Sequence, residues 1–417
     1  MISTPVPEPF PIRPVSRRRF LHSAAGGVAA GPILATAALA QTSSAPAVPS
    51  VPSVPSGRPM PKMEGELPRP PGRRVGWAVV GLGQFALNQI LPAFAEARMS
   101  KLVALVSGSR DKAVSVAERY GVPTRNLYDY AGFDAIRDNP EIDVVYVILP
   151  NALHPEFTIR AFRAGKHVMC EKPMANSPEE CEAMIAAGKA ADRKLMVGYR
   201  AHFEPHNAEA IRMARAGRLG RIRLVTSDHH RHIDPAVPAD QWRLSRALAG
   251  GGSLVDIGIY SLQAARYMTG EEPVAVAAQI STPADDPRFR EVEDTVAVQL
   301  RFPSGAVAQL TSSYTAHNVK RIQAFGTEAA AILDPATEYE GNRLTVRSAR
   351  GVDEVKVKAA SQFAGEMDHL SESVLANKTP ALGGEEGLRD IRLIKAIYAA
   401  AEAGRWLRLN PDGSHAS

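Results

Sequence analysis

The chain has 417 residues, enough for two domains with sizeable cores, and its 45% hydrophobic and 22% charged residues are the balance of a globular protein. The net charge of +5 is unevenly placed, because residues 1–40 carry Arg13, Arg17, Arg18 and Arg19 against Glu8 and the remainder is nearly balanced. No block of Lys/Arg with interleaved aromatics occurs, which argues against a nucleic-acid partner.

The first element is a targeting segment. Ser16-Arg17-Arg18-Arg19-Phe20-Leu21 precedes an uncharged Ala/Gly-rich stretch, and Ala38-Leu39-Ala40 is a small-x-small cleavage site. Paired arginines before a mildly apolar run predict a twin-arginine signal over residues 1–40 and a periplasmic product, with the twin-arginine export machinery as a partner. A membrane anchor and a basic tail are the other readings; Pro32 and the Gly/Ala content make a poor permanent span, so no membrane attachment is expected after cleavage. Residues 41–72 are rich in Pro and Ser and read as an extended arm or a linker.

From Arg74 strands and helices alternate. An apolar strand runs from Val75 to Gly81, and Gly81, Gly83 and Ala86 then fall at the spacing G-x-G-x-x-A. After a strand and before a helix, this turn admits a dinucleotide pyrophosphate: Gly81 turns tightly, Gly83 leaves the backbone approachable, and Ala86 lets the helix pack closely. The second strand, Lys101–Ser107, ends on Ser107-Gly108-Ser109-Arg110-Asp111-Lys112, where a site for an unphosphorylated ribose usually has an acid. A small hydroxyl beside Arg110 and Lys112 suits a 2′-phosphate and points to NADP; a solvated helix start is the alternative.

A helix is expected over Asp111–Tyr120, a third core strand over Ile142–Leu149, a helix over His154–Ala164 and a short strand over His167–Cys170. Lys172, in Cys170-Glu171-Lys172-Pro173, then stands at the carboxyl end of the sheet, where ligands bind. Pro173 restricts Lys172 and allows a cis bond. Ser177-Pro178-Glu179-Glu180 is a capping box that starts a helix reaching about Ala191, and Leu195–Gly198 is a further strand. Cys170 and Cys181 read as buried free thiols.

The second half predicts strands at Arg221–Ser227, Val274–Ile280, Thr295–Phe302, Ala306–Ser313 and Arg321–Phe325, forming a mostly antiparallel sheet with one face covered by helices. Those helices are expected over Ser253–Met268, Gln362–Leu375 and Glu386–Ala403. His229, His230 and His232 follow the first of these strands; a metal site and an exposed polar loop at the mouth of the site are the two readings. After Gly250-Gly251-Gly252, Asp256 and Tyr260 are four residues apart on one helix face. An acid and a phenol facing Lys172 would form a proton-transfer set, the ammonium lowering the phenol's pKa so that it serves as a base towards a sugar hydroxyl.

Together G-x-G-x-x-A, Glu171-Lys172-Pro173 and Asp256-x-x-x-Tyr260 resemble the glucose–fructose oxidoreductase and inositol dehydrogenase superfamily. Most members carry His where this chain has Tyr260, and the Tyr marks the periplasmic subgroup. The signal segment, the Pro-rich arm, Gly81-Leu82-Gly83-Gln84, Leu149-Pro150-Asn151, Gly198-Tyr199-Arg200, Gln241-Trp242-Arg243-Leu244 and Asp334-Pro335-Ala336-Thr337 resemble that subgroup over essentially the whole chain. The resemblance implies an α/β fold: an N-terminal Rossmann doubly wound parallel sheet (73–198) and a C-terminal α+β domain with a large, mostly antiparallel open sheet (199–417), whose last helices pack back on the first domain. It implies Lys172 and Tyr260 as the catalytic pair and Asp256 as the sugar-orienting acid. For tightly bound NADP it implies contacts from Gly81, Leu82, Gly83, Gln84, Phe85, Ala86, Ser107, Arg110, Lys112 and Tyr130. Further contacts fall on Ile148, Leu149, Pro150, Asn151, His154, Glu171, Lys172, Arg200, Trp242, Arg243 and Tyr339.

The expected function is oxidation of an aldose such as glucose to its lactone, followed by return of the hydride to a second sugar, fructose giving sorbitol, in a tetramer. The alternatives are a sugar dehydrogenase with exchangeable cofactor and a non-catalytic sugar-binding protein. The set of Lys172, Asp256 and Tyr260 argues against the last, since a binder needs no proton-transfer group.

Overall fold

The structure, a computed structural model, describes residues 73–416; the expected signal segment (1–40) and arm (41–72) lie outside the described residues. The first half builds β1 (Val75–Val80), β2 (Ser100–Val106), β3 (Leu127–Tyr128), β4 (Val144–Val147), β5 (His167–Glu171) and β6 (Leu195–Gly198). All six pair in parallel in the order β3-β2-β1-β4-β5-β6. Every residue of β1 is buried, as its unbroken apolar run requires of a central parallel strand. The strand order reverses between β1 and β4, so a crevice opens at their carboxyl ends. The capping box is present: Ser177 Oγ accepts from Glu180 N at 3.2 Å, and Glu180 Oε2 accepts from Ser177 N at 3.1 Å. Cys170 and Cys181 are free and buried.

The second half builds β7 (Ile222–His230), β8 (Ala275–Ser281), β9 (Thr295–Arg301), β10 (Val307–Ser313), β11 (Val319–Gly326), β12 (Ala329–Leu333), β13 (Leu344–Ser348), β14 (Gly351–Glu354) and β15 (Leu407–Arg408). They form one nine-stranded sheet, β14-β13-β12-β11-β7-β10-β9-β8-β15, antiparallel except where β7 meets β10. Strands β12 to β15 and the helix Pro205–Arg215 were not anticipated. β12 is mostly alanine and the edge strand β14 is exposed along its length, so neither shows the alternation that marks a half-buried strand.

The C-terminal helices tie the two sheets together. Trp77 Nε1 on β1 donates to Ser371 Oγ of the helix Gln362–Leu375 at 3.0 Å. On the helix Gly384–Ala403, buried Asp390 accepts from Tyr199 Oη at 2.7 Å and pairs with Arg266 at 2.7 Å. Among the described residues no helix is long and apolar enough to cross a membrane.

Candidate active site

The turn after β1 is shaped by its glycines. Gly81 has φ +95°, and a Cβ there would lie 2.1 Å from Ile148 O, so both conformation and space demand glycine. A Cβ on Gly83 would meet no atom within 4 Å. Ala86 is fully buried and opens a π-helical turn over Ala86–Ile90. Leu82 is buried beside the turn, Gln84 is half-buried, and Phe85 packs on Phe363 and Tyr339 at ring distances of 5.6 and 6.2 Å. An open glycine, a tight turn and backbone amides at a helical start fit a dinucleotide pyrophosphate.

At the end of β2, Ser107 is buried and its Oγ accepts from Ser109 N at 3.2 Å. Ser109 caps the helix Arg110–Tyr120, its Oγ accepting from Lys112 N. Tyr130 lies against Gly108, where a Cβ would meet its ring at 3.0 Å. Arg110 Nη1 donates to Leu127 O at 3.1 Å, which anchors this guanidinium to β3. Ser107, Lys112 and Tyr130 therefore share one corner, with Arg110 tethered at its side.

Beyond β4, half-buried Ile148 and Pro150 flank buried Leu149. Asn151 Nδ2 donates to Ala249 O at 2.9 Å. His154 opens the helix His154–Arg163. It is fully buried, with Nδ1 2.9 Å from Pro173 O and Nε2 2.9 Å from Leu149 O, so it joins the turns after β4 and β5 to each other.

The chemistry converges on Asp256. Lys172 follows β5, and its bond to Pro173 is cis. Lys172 Nζ donates to Asp256 O at 2.6 Å and lies 3.6 Å from Asp256 Oδ1. Asp256 Oδ2 is 3.3 Å from Arg231 Nε and 3.2 Å from Arg243 Nε, and accepts from Tyr314 Oη at 3.1 Å. Burial alone would raise this carboxyl, but Arg243, Lys172 and Arg231 outweigh it and hold the acid well below the usual carboxylate range. For Lys172 burial is the larger influence and lowers the ammonium's pKa, with Asp256 and Glu171 opposing.

Tyr260 sits on the other side of Lys172, with Nζ 5.0 Å from its ring centre. The helix expected over Ser253–Met268 is in fact two pieces, a π-helical turn Leu254–Gly258 holding Asp256 and the α-helix Ile259–Thr269 holding Tyr260. Such turns recur at functional positions. The phenol's pKa also differs from the expectation: burial pushes it up to about 12, and the cation that opposes most strongly is Arg200, not Lys172. Arg200 is buried, its guanidinium 5.0 Å from the Tyr260 ring and 4.7 Å from that of Tyr339. Its Nη1 donates to Gln362 Oε1 at 2.7 Å and its Nη2 to Thr337 O at 2.9 Å.

The Arg243 guanidinium stacks on Trp242 at 4.4 Å and reaches Asp256. Tyr339 is 44% exposed. Of the three histidines, His229 is neither on a loop nor exposed: it is the penultimate residue of β7, is buried, and stacks on Tyr260 at 5.5 Å with an 18° tilt. Its Nδ1 and Nε2 each lie 2.8 Å from a hydroxyl, those of Ser261 and Thr337. His230 bonds Thr311 on β10, and His232 is exposed beyond the strand. Sequence reasoning missed Arg231 and Tyr314, whose contacts with Asp256 span 25 and 58 residues of chain. Arg231 lay inside the His229–His232 run, and that was the available signal.

Residues 75–199 match the family described as "Oxidoreductase family, NAD-binding Rossmann fold", and residues 207–332 match "GFO/IDH/MocA C-terminal domain". D-xylose 1-dehydrogenase [NADP(+)] of Haloarcula marismortui is 32% identical over 344 residues, 81% of this chain and 93% of that one. The crystal structure of aldose–aldose oxidoreductase from Caulobacter crescentus complexed with glycerol is 52% identical, covers 81% of this chain and 100% of its own, and superposes with a TM-score of 0.78. A 3-ketoreductase from Actinomadura kijaniata in complex with NADP and TDP-benzene is 25% identical with a TM-score of 0.69, over 79% of this chain and 98% of its own.

Proposed function

This chain belongs to the GFO/IDH/MocA family of oxidoreductases and is a sugar oxidoreductase, and from that premise we propose that it oxidises an aldose at C1 to the lactone with a retained NADP and passes the hydride to a second sugar. The observation that carries the reading is the convergence of Lys172, Asp256 and Tyr260 at the carboxyl end of β5. A nicotinamide dinucleotide held at the turn after β1 would supply the hydride chemistry. The chain supplies position and proton transfer. Asp256, fixed as a carboxylate by three cations and the Tyr314 hydroxyl, accepts hydrogen bonds from the sugar and orients it. Tyr260 Oη takes the C1 hydroxyl proton in one half-reaction and gives a proton to the acceptor's carbonyl oxygen in the other. Arg200 opposes burial at this phenol and stabilises the phenolate this requires, and Lys172 Nζ lies 5.0 Å from the ring centre.

Ser107, Lys112 and Tyr130 form the corner that takes the 2′-phosphate, and the NADP named for two relatives supports that choice. The aldose–aldose name of the 52% identical relative supports a second aldose as acceptor; fructose, reduced to sorbitol, is the alternative that the resemblance favoured. Periplasmic export of the folded enzyme by the twin-arginine route, a tetramer, and an arm at residues 41–72 that crosses a neighbouring subunit complete the proposal. Regeneration within the site would let such an enzyme work where no NADP pool exists.

The test is to denature the purified chain and identify the nucleotide released. NADP close to one per chain supports a retained cofactor. An empty protein whose turnover saturates with added NADP+ supports the ordinary dehydrogenase.

A further inference from the structure

Beside Lys172 lies a buried group that none of these steps uses. Tyr146 on β4, Glu171 at the end of β5 and Glu366 on the helix Gln362–Leu375 meet in the interior, where Tyr146 and Glu366 are fully buried. Tyr146 Oη is 2.6 Å from Glu171 Oε1 and 3.1 Å from Glu366 Oε1. Both neighbours are carboxyl oxygens, and a phenol has only one proton to donate. The shorter contact has the length of a charge-assisted bond, so the phenol donates to an ionised Glu171. The second contact then needs a donor on its other side, and Glu366 is the group that can supply one.

Two further observations agree. Burial raises the Glu171 carboxyl too, but its charge has compensation: besides Tyr146, Oε2 accepts from Lys172 N at 3.2 Å, and the Lys172 ammonium is adjacent. Glu366 has little, for its Oε2 lacks a hydrogen-bond partner in the structure. A buried carboxylate with a bare oxygen is costly, whereas the carbonyl oxygen of a neutral acid tolerates the same place far better. The charged and titratable groups facing Glu366 are Glu171 from β5, Tyr146 from β4 and Arg200 from the turn after β6. Arg200 already donates to Gln362 and Thr337 and lies over Tyr260. Burial first, and then Glu171, push the Glu366 carboxyl well above its ordinary value.

We propose that Glu366 is a neutral carboxylic acid that donates to Tyr146, which donates to Glu171, and that this proton-bearing chain positions the Glu171 carboxylate on the Lys172 backbone amide. Glu366 is thus a positioning residue for Lys172, acting through two intermediates. The positioning half rests on the functional reading above; the protonation half does not.

The experiment uses the purified full chain and the variants Glu366→Gln, Glu366→Leu and Tyr146→Phe. Infrared spectra of the wild type are expected to show a protonated-carboxyl band that shifts in heavy water and is missing from Glu366→Gln. Native Glu366 keeps a proton that the unfolded chain loses, so rising pH favours unfolding. Above the unfolded carboxyl pKa of about 4.3, the unfolding constant of the wild type should therefore rise up to tenfold per pH unit relative to that of Glu366→Gln. Identical carboxyl bands and parallel stability curves overturn the neutral acid. These readouts need no substrate, so they decide the proton even if the sugar chemistry proves to be different. Gln can still donate to Tyr146, and Leu cannot. Glu366→Leu and Tyr146→Phe should lower kcat at unchanged nucleotide content, with Glu366→Gln largely rescued. Equal losses in the Gln and Leu variants overturn the positioning role.

Discussion

The two glycines of the turn after β1 should separate folding from nucleotide binding. In Gly81→Ala the new Cβ lies 2.1 Å from the Ile148 carbonyl, and the residue must also hold φ +95°. The left-handed backbone costs about 1–2 kcal/mol and relief of the clash about 1–3 kcal/mol. A loss of roughly 2–5 kcal/mol is a large share of the usual net stability of about 5–15 kcal/mol. Gly83→Ala is the opposite case. Its Cβ meets nothing within 4 Å and no positive φ is required, so the nucleotide-free fold should be unchanged or stabilised by about 0.4–1 kcal/mol through the unfolded chain. That same space is where the pyrophosphate must approach. The assay is thermal unfolding of nucleotide-stripped protein with and without NADP. At a hundredfold excess over Kd the wild type should gain about 2.7 kcal/mol, and Gly83→Ala should gain little despite its intact fold. A Gly83→Ala protein that binds NADP as the wild type does would refute the placement of the pyrophosphate, and with it the fit of the turn.

Three further outcomes follow from the same geometry. Lys172→Met should retain its nucleotide yet lose about 10²–10⁴-fold in kcat, read by comparing released nucleotide with turnover; full activity would remove Lys172 from the mechanism. Asp256→Asn should cost about 2–4 kcal/mol at pH 7 in denaturant unfolding, below the upper range for a broken buried pair because Arg231 keeps Asp240 at 2.7 Å. Its native pKa is depressed, so that stabilisation is present above the unfolded value near 3.9 and fades as pH falls; a difference from wild type that persists undiminished in acid would contradict this. His229 is held by burial at about 3 against an unfolded value of 6.5, so its neutral form is lost only by unfolding. Wild-type stability should fall by about 1.36 kcal/mol per pH unit relative to His229→Gln as pH drops from 6.5 towards 3, and parallel curves would show that the native imidazole takes up its proton as readily as the unfolded one.

How much was legible depends on the reach of each signal. The strand before Gly81, the capping box at Ser177 and the strand that starts at Thr295 are local, set by neighbours within one turn or two strand steps, and they stand where the sequence placed them. The Lys172–Asp256 contact spans 84 residues and came into view only through its motifs. Arg231, Tyr314 and Glu366 reach the site by tertiary pairing alone, with no spacing to announce them. His229 shows the same limit from the other side. A polar run after a strand reads as a loop, but register along β7 turns His229 inward onto Tyr260 and gives His230 a partner on β10. The π-helical turn at Asp256 had no local mark beyond the preceding glycines.

The most direct test of the central claim, a sugar oxidoreductase that keeps and recycles its own cofactor, is made on the purified chain with nothing added. Glucose is mixed in alone while absorbance is followed at the reduced-nicotinamide band, and a second sugar, an aldose or fructose, is then supplied. A rise with the first sugar and a fall with the second are expected. No change until NADP+ is provided would contradict the retained cofactor.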